Sequence, residues 1–130
     1  MCGINGIISK DKNKDKLIKS MNEKILHRGP DAEGIFVEGD VALGQRRLSI
    51  IDLAGGNQPI YNEDKSILIM YNGEVYNYKE LKEELTEYKF ETESDTEVVL
   101  HGYEEWGHDL PKKLRGMFAY AIYDKNKGEI

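Results

Sequence analysis

Apolar residues recur at helical spacing in three stretches of this chain, and each stretch is bounded by residues that favour helix ends. The first stripe, which ends before Gly29-Pro30, consists of Leu17, Ile18, Met21 and Ile25. The second, for which Asn77 is the predicted N-cap, consists of Tyr78, Leu81, Leu85 and Tyr88. The third, which Ser94 or Asp95 can cap and Gly107 ends, consists of Val99, Leu100, Tyr103 and Trp106. We expect these stripes to face a core.

Short apolar runs predict strands before, between and after these helices. The runs span residues 4–9, 33–38, 41–46, 66–71 and 117–123. Residues 67–71 and 117–123 do not alternate between polar and apolar side chains, so we expect both faces of these two strands to be covered. Asn72-Gly73 is expected to end the fourth strand.

These elements predict an α+β fold, because helices can cover one face of a sheet while a second sheet covers the other. We therefore expect a four-layer helix–sheet–sheet–helix (αββα) sandwich. A doubly wound parallel sheet is the alternative, but it would need a phosphate-type glycine loop after a strand. After residues 117–123 only a turn, Glu129 and Ile130 remain, which would leave a strand edge unpaired. We expect the chain to be the N-terminal piece of a longer protein.

Composition narrows the class of protein. The 130 residues suffice for one domain, and their formal charge of −6 argues against nucleic acid or an anionic membrane as a partner. No apolar run approaches membrane-spanning length. The single cysteine, Cys2, excludes an internal disulfide and suits a reducing compartment. We expect a cytoplasmic protein.

Cys2 would become the terminal residue after removal of Met1, and its thiol and α-amine would then belong to one residue. The ordinary pKa of a thiol is about 8.5 and that of an α-amine about 7.7–8.0, so the amine can accept a proton near neutral pH. A terminal cysteine is thus a nucleophile with its own base. The alternative is a small apolar residue at the start of a buried strand.

Two further motifs could carry chemistry. Asn72-Gly73-Glu74 follows a buried strand and can be read as a hairpin turn or as two converging donors for an oxyanion. Ser94-Asp95-Thr96-Glu97 is by itself a helix N-terminus with favourably placed carboxylates. The three histidines lack metal-ligand spacing, and no nucleotide-binding or calcium-binding motif is present.

In their order along the chain, these motifs resemble the N-terminal glutaminase domain of glutamine-hydrolysing asparagine synthetases. That domain is a class II glutamine amidotransferase of the N-terminal-nucleophile hydrolase type. The matching stretches are Met1-Cys2-Gly3-Ile4, His27-Arg28-Gly29-Pro30-Asp31, Arg47-Leu48-Ser49-Ile50-Ile51-Asp52, Gln58-Pro59, Asn72-Gly73-Glu74-Val75-Tyr76-Asn77, Ser94-Asp95-Thr96-Glu97 and Gly116-Met117-Phe118-Ala119. Other class II amidotransferases carry an aromatic residue and threonines in the arginine loop, where this sequence has Arg47-Leu48-Ser49-Ile50-Ile51. This difference favours the asparagine synthetase branch.

The resemblance implies a reaction and roles for individual residues. Cys2 would attack the side-chain amide of free L-glutamine to give a thioester and ammonia, with its own α-amine moving the protons. The side-chain amide of Asn72 and the backbone N–H of Gly73 would form the oxyanion hole.

The same resemblance implies how the amino-acid head group is held. Arg47 would bind the α-carboxylate, and Asp95, helped by Glu74, would bind the α-ammonium. Backbone groups around Ile50 and Ile51 would line the same pocket. Arg28 would support a loop near the site without taking part in bond breaking.

In the intact relatives, ammonia passes to a C-terminal synthetase domain that uses ATP and magnesium to convert aspartate to asparagine. We expect no metal or cofactor in residues 1–130, an amidotransferase domain incomplete at its C-terminus, and weak or no activity of this chain alone. A homodimer is a candidate assembly. Three alternatives stay open: a related amidotransferase with another acceptor, a non-catalytic glutamine-binding domain, and a structural fragment whose sheet edge drives oligomerisation.

Overall fold

Two three-stranded antiparallel sheets lie between helices in the computed structural model, which describes residues 2–49 and 56–130. The strands are β1 (Gly3–Ile8), β2 (Ala32–Glu38), β3 (Val41–Arg47), β4 (Ile60–Tyr61), β5 (Ile67–Val75) and β6 (Gly116–Asp124). The helices are α1 (Lys14–Lys24), α2 (Tyr78–Glu84), α3 (Asp95–Trp106) and α4 (Leu110–Lys113), with 3-10 turns at Leu26–Arg28 and Gly107–Asp109. In the part of the chain described, none of the helices combines the length and apolar character needed to cross a membrane.

The strand order is β1-β3-β2 in the first sheet and β4-β5-β6 in the second, and each of these strand pairs is antiparallel. Helix α1 packs on the first sheet, and α3 packs on β4 and β5 of the second. The four layers are therefore helix, sheet, sheet and helix. The predicted α+β sandwich is confirmed, and the doubly wound parallel alternative is wrong.

Two apolar cores hold these layers together. The core between the sheets consists of Phe36, Val41, Leu43, Leu68 and Met70. The larger core joins the second sheet to its helices and includes Ile69, Tyr71, Val75, Leu81, Leu85, Val99 and Leu100. Strand β5 contributes to both cores, and its residues 67–71 are all buried. The prediction that this strand is covered on both faces is confirmed.

Strand β6 departs from the prediction that it too is covered on both faces. It lies at the edge of its sheet, paired with β5 on one side. Ile122 is buried in the core, but Ala119 is exposed and Met117 is 57% exposed. The apolar composition of the strand was read correctly, but an edge position leaves part of it uncovered in the described residues.

Asn72-Gly73 does not end β5, contrary to the prediction, because the strand runs on to Val75. Gly73 lies opposite Phe118 of β6. A Cβ atom on Gly73 would lie 2.5 Å from the Cα of Phe118 and would overlap the backbone oxygen of Met117. The missing side chain therefore makes room for the neighbouring strand, a role that was not foreseen for this glycine.

Helix α1 buries a different stripe from the predicted one. Its buried residues are Lys14, Ile18 and Asn22, whereas Leu17 is 44% exposed. Asn22 donates through Nδ2 to the side chain of Glu33 and to the carbonyl of Gly34, and its Oδ1 accepts from Asn5. These hydrogen bonds let a polar side chain occupy the interface between α1 and the first sheet.

The two predicted helix caps behave differently. Asn77 occupies the N-cap position of α2, but its side chain makes no capping hydrogen bond. It donates instead to the carbonyl of Lys113 and accepts from the backbone N–H of Arg115. Ser94, by contrast, caps α3 by accepting from the backbone N–H of Thr96 at 3.2 Å.

Candidate active site

Cys2 immediately precedes β1 and is partly exposed. The backbone N–H of Leu48 donates to its Sγ at 3.3 Å, and the thiol lies 3.6 Å from the carbonyl oxygen of Leu48. The Nε of Arg28 donates to the backbone carbonyl of Cys2 at 2.9 Å. These contacts anchor both the sulfur and the main chain of Cys2, and they leave the residue accessible.

Cys2 lines a cavity of about 70 Å³ together with other residues predicted from the sequence. Its lining includes Cys2, Arg47, Asn72, Gly73, Glu74 and Asp95. Four separate parts of the chain supply these groups: the N-terminus, the end of β3, the end of β5 and the start of α3. The other two predicted residues, Ile50 and Ile51, lie outside the described residues.

The pairing of β1 with β3 explains why Arg47 lies near Cys2. Gly3 is opposite Arg46 in this pair, so the next residue towards each strand end brings Cys2 and Arg47 together. The Arg47 side chain is buried, and its Nη1 donates to Oδ1 of Asn57 at 3.1 Å. A buried guanidinium supplies a fixed positive charge with a planar set of donors.

Asn72 brings a polar amide to the same cavity. Its Oδ1 is buried and has no hydrogen-bond partner within residues 2–49 and 56–130. A buried polar group without a partner costs about 1–3 kcal/mol. The same side chain also carries the Nδ2 group, a donor of the kind that an oxyanion requires, and Asn72 lines the cavity.

Asp95, the first residue of α3, provides a negative charge opposite to that of Arg47. The helix dipole favours a carboxylate at this end of the helix. Asp95 is 5% exposed, and its Oδ2 accepts hydrogen bonds from the hydroxyl of Tyr71 at 2.8 Å and the backbone N–H of Val75 at 2.9 Å. Glu74, next to Val75, is more exposed and also lines the cavity. A positive group and two carboxylates thus surround one small space.

A larger cavity of about 450 Å³ lies elsewhere, near the edge strands β1 and β6. Its lining is mostly apolar and includes Ile8, Leu43, Tyr120 and Ile122. It contains none of the predicted site residues. Within the described residues, no group of three or more histidine, cysteine, aspartate or glutamate side chains is arranged to hold a metal ion.

Comparison with known proteins decides the family. Residues 1–130 match the family described as a glutamine amidotransferase domain. The chain belongs to this family. The resemblance inferred from the motif order is thereby confirmed.

Two asparagine synthetases are similar to this amidotransferase domain along nearly its whole length. Asparagine synthetase [glutamine-hydrolyzing] 1 of Bacillus subtilis (strain 168) is 48% identical over 133 residues, covering 97% of this chain and 21% of its own. Asparagine synthetase [glutamine-hydrolyzing] of Asparagus officinalis is 44% identical over 127 residues, covering 95% of this chain and 22% of its own. The chain therefore spans about one fifth of the length of these relatives.

A solved structure shows the same fold at lower sequence identity. It is the glutamine phosphoribosylpyrophosphate (PRPP) amidotransferase from B. subtilis, complexed with ADP and GMP. The two chains share 22% identity with a TM-score of 0.78, over 96% of this chain and 35% of the other. The αββα arrangement of this amidotransferase domain is therefore shared with a distant sequence.

The sequence did not indicate two residues of the candidate site. Tyr71 was predicted only as part of an apolar strand, and Gln58 only as part of a matching stretch without a role. Both line the cavity. A buried tyrosine hydroxyl needs a hydrogen-bond partner, so a tyrosine ending an otherwise aliphatic run was the available signal.

Proposed function

We propose that this domain is the glutaminase of an asparagine synthetase and that it hydrolyses the side-chain amide of L-glutamine. The observation that carries the proposal is the presence of Cys2, Arg47, Asn72 and Asp95 around one cavity. Together they supply a nucleophile, a binding group for each end of an α-amino acid and a donor for an oxyanion. The matched family supports glutamine as the substrate class.

In the proposed reaction, the Cys2 sulfur bonds to the amide carbon of glutamine. The α-amine, freed by removal of Met1, takes the thiol proton and gives it to the leaving nitrogen, so that the C–N bond breaks and ammonia departs. Water then adds to the thioester, the C–S bond breaks, and glutamate leaves with the thiol restored. The N–H of Leu48 stabilises charge on sulfur during both steps.

The oxyanion that forms at the amide carbon would be stabilised by the side-chain amide of Asn72 and the backbone N–H of Gly73. Removing one such donor typically raises the barrier by about 2.7–4 kcal/mol. The α-carboxylate would pair with Arg47, and the α-ammonium with Asp95 and Glu74. Opposite charges on the head group would thus set the orientation of the substrate.

The wider assembly is part of the proposal. The ammonia would be used by a C-terminal synthetase domain that takes ATP, magnesium and aspartate, while residues 1–130 would need no cofactor. Similarity to two glutamine-hydrolysing asparagine synthetases supports this acceptor. A homodimer in the cytoplasm is the proposed setting.

The test measures ammonia and glutamate released from L-glutamine by the full-length protein that contains this domain, after mass spectrometry has shown that Met1 is absent. Cys2→Ala should abolish release while leaving the circular dichroism spectrum and thermal midpoint unchanged. A glutamine-like electrophile should add one adduct, located at Cys2 by peptide mapping.

Undiminished ammonia release by Cys2→Ala would refute the mechanism. If neither protein releases ammonia but both bind glutamine by calorimetry, the chain is a glutamine-binding domain instead. Measuring the molecular mass in solution at several protein concentrations tests the third alternative, in which the chain oligomerises through a sheet edge.

A further inference from the structure

A buried phenol contacts the Asp95 carboxylate, which lines the candidate site. Tyr71 is 3% exposed, and its hydroxyl donates to Oδ2 of Asp95 at 2.8 Å. The backbone N–H of Val75 donates to the same oxygen. Among the described residues, both hydrogen bonds to this carboxylate end on Oδ2, so Oδ1 is left to meet a ligand.

The backbone of Tyr71 is itself held in place by the side chain of Gln58. The Nε2 of Gln58 donates to the carbonyl of Tyr71 at 3.1 Å, and the backbone N–H of Tyr71 donates to Oε1 of Gln58 at 2.5 Å. Tyr71 also lies within the paired part of β5, opposite Tyr120 of β6. The side chain therefore projects from a segment of backbone fixed by a strand ladder and by a side-chain clamp.

The Tyr71 phenol is protonated at neutral pH and can donate a hydrogen bond there. Burial, followed by the negative charge of Asp95 and the hydrogen bond to it, raises the pKa of Tyr71 far above its ordinary value. A hydrogen bond to an ionised group is roughly twice as strong as a neutral one. Tyr71 therefore restricts the carboxylate to one orientation before any ligand arrives.

We propose that Tyr71 is a positioning residue that fixes the Asp95 carboxylate for an α-ammonium group and thereby makes the cavity selective for free α-amino acids. The proposal rests on the proposed function and deepens it. Preorganisation of a binding group lowers the ordering cost of binding. The resulting gain in affinity should appear for ligands that carry an α-ammonium group and should be absent for ligands that lack it.

The test compares L-glutamine with glutaramate, which has the same amide and carboxylate but no α-amine. Affinities are measured by calorimetry in a Cys2→Ala background, so that turnover is not required. Tyr71→Phe should weaken glutamine binding roughly tenfold and glutaramate binding less than about twofold. Tyr120→Phe, a neighbouring half-buried tyrosine outside the small cavity, is the matched control and should change neither affinity.

Two further variants and measurements separate positioning from general damage. Asp95→Asn keeps an acceptor for the phenol but removes the charge, and it should lose the same preference for glutamine over glutaramate. With Cys2 intact, Tyr71→Phe should raise KM for glutamine about tenfold and leave kcat within about twofold. The thermal midpoint of each variant reports on folding.

Equal weakening of both ligands by Tyr71→Phe, or no weakening of glutamine, would overturn the positioning role. A different result would refute the proposed function, namely that the full-length protein with intact Cys2 binds glutamine but releases no ammonia. In that case the binding ratio still decides whether Tyr71 positions Asp95. If the parent protein binds no glutamine at all, both proposals are wrong.

Discussion

The Nε of Arg28 donates a hydrogen bond of 2.9 Å to the backbone carbonyl of Cys2, which joins residues 26 positions apart. The stem of the same side chain lies near Gly3, where an added Cβ would be 3.3 Å from Cδ of Arg28. Residue 3, which follows Cys2, thus has little space for a side chain. Arg28 supports the main chain at Cys2.

Replacing Arg28 by methionine should therefore impair catalysis more than binding. Arg28→Met keeps most of the stem but removes the donor, and we expect kcat to fall about fivefold with KM changed less than about twofold, because an exposed hydrogen bond contributes about 1 kcal/mol. Steady-state ammonia release measures both constants. Arg115→Met, at another exposed arginine outside the cavity lining, is the control and should leave kcat unchanged. An equal loss in both variants would contradict the support of Cys2 by Arg28.

Gly73→Ala should lower the free energy of unfolding by about 2–3 kcal/mol, because the new Cβ would overlap the backbone of β6. Urea titration followed by circular dichroism measures the change. In Gly6→Ala the new Cβ would lie 2.9 Å from Cδ2 of Leu43, the end of a flexible side chain, so the loss should be less than about 1 kcal/mol. Equal losses would show that the close approach of β5 and β6 is not what requires glycine at position 73.

Asn77→Asp distinguishes a helix cap from a bridge between segments. Aspartate and asparagine are about equally good N-caps, so a cap would tolerate the change. Because Asn77 donates to the carbonyl of Lys113, which aspartate cannot do, we expect a loss of about 1 kcal/mol in the free energy of unfolding. Ser94→Asp, at a position where the side chain does cap a helix, should change stability by less than about 0.5 kcal/mol. If Asn77→Asp leaves the free energy of unfolding unchanged, Asn77 acts as a simple N-cap and the bridge to Lys113 does not stabilise the fold.

His101 lies between two carboxylates on the buried side of α3. Its Nδ1 is 2.7 Å from Oε2 of Glu104, and its Nε2 is 3.6 Å from Oε1 of Glu97. Burial alone would lower the pKa of His101, but the hydrogen bond to Glu104 and the negative charges of Glu104 and Glu97 outweigh it and raise the pKa to about 9. Burial would raise the pKa of Glu97, but the nearby His101 ring and hydrogen bonds from the backbone of Glu91 and from Thr92 lower it to about 2.

These shifts predict how stability depends on pH. The raised pKa of His101 contributes stability that is fully present below pH 6.5 and is lost as pH rises through about 9. The lowered pKa of Glu97 contributes stability that is present above pH 4.5 and is lost as pH falls towards 2. The difference in free energy of unfolding between the protein and His101→Gln should therefore be largest near pH 6 and shrink above pH 9.

Urea titrations at a series of pH values measure that difference. His108→Gln is the matched control, because the His108 side chain is 85% exposed. The control should show little difference from the parent at any pH. A difference for His101→Gln that stays constant from pH 6 to above pH 9 would rule out an imidazolium between Glu97 and Glu104.

Much of the fold followed from local patterns. The helix at residues 95–106 was predicted close to its observed bounds, because it has a strong apolar pattern and clear end signals. For β5 the apolar run predicted the start of the strand but not its end. The stripe of α1 was predicted less well. Leu17 is exposed and Asn22 is buried, since partners on β1 and β2 satisfy the asparagine. No pattern within one helix contains that information.

The candidate site, like the fold, was predicted only in part from the sequence. The motif order indicated the candidate site residues, and six of the eight predicted residues line one cavity. Their roles remain predictions, and Ile50 and Ile51 lie outside the described residues. Tyr71 and Gln58 were not predicted to line the candidate site, because their hydrogen bonds reach Asp95 and the backbone of β5, which are distant in sequence.

By itself, the sequence determined the α+β layers, the family and the set of candidate site residues, because periodicity and motif order are written along the chain. Only the tertiary structure decided that β5 continues through Gly73, that Asn77 bridges to Arg115, and that Tyr71 holds Asp95. Each of these depends on a partner from another segment. Hydrogen bonds and close contacts of that kind form only when distant parts of the chain are brought together.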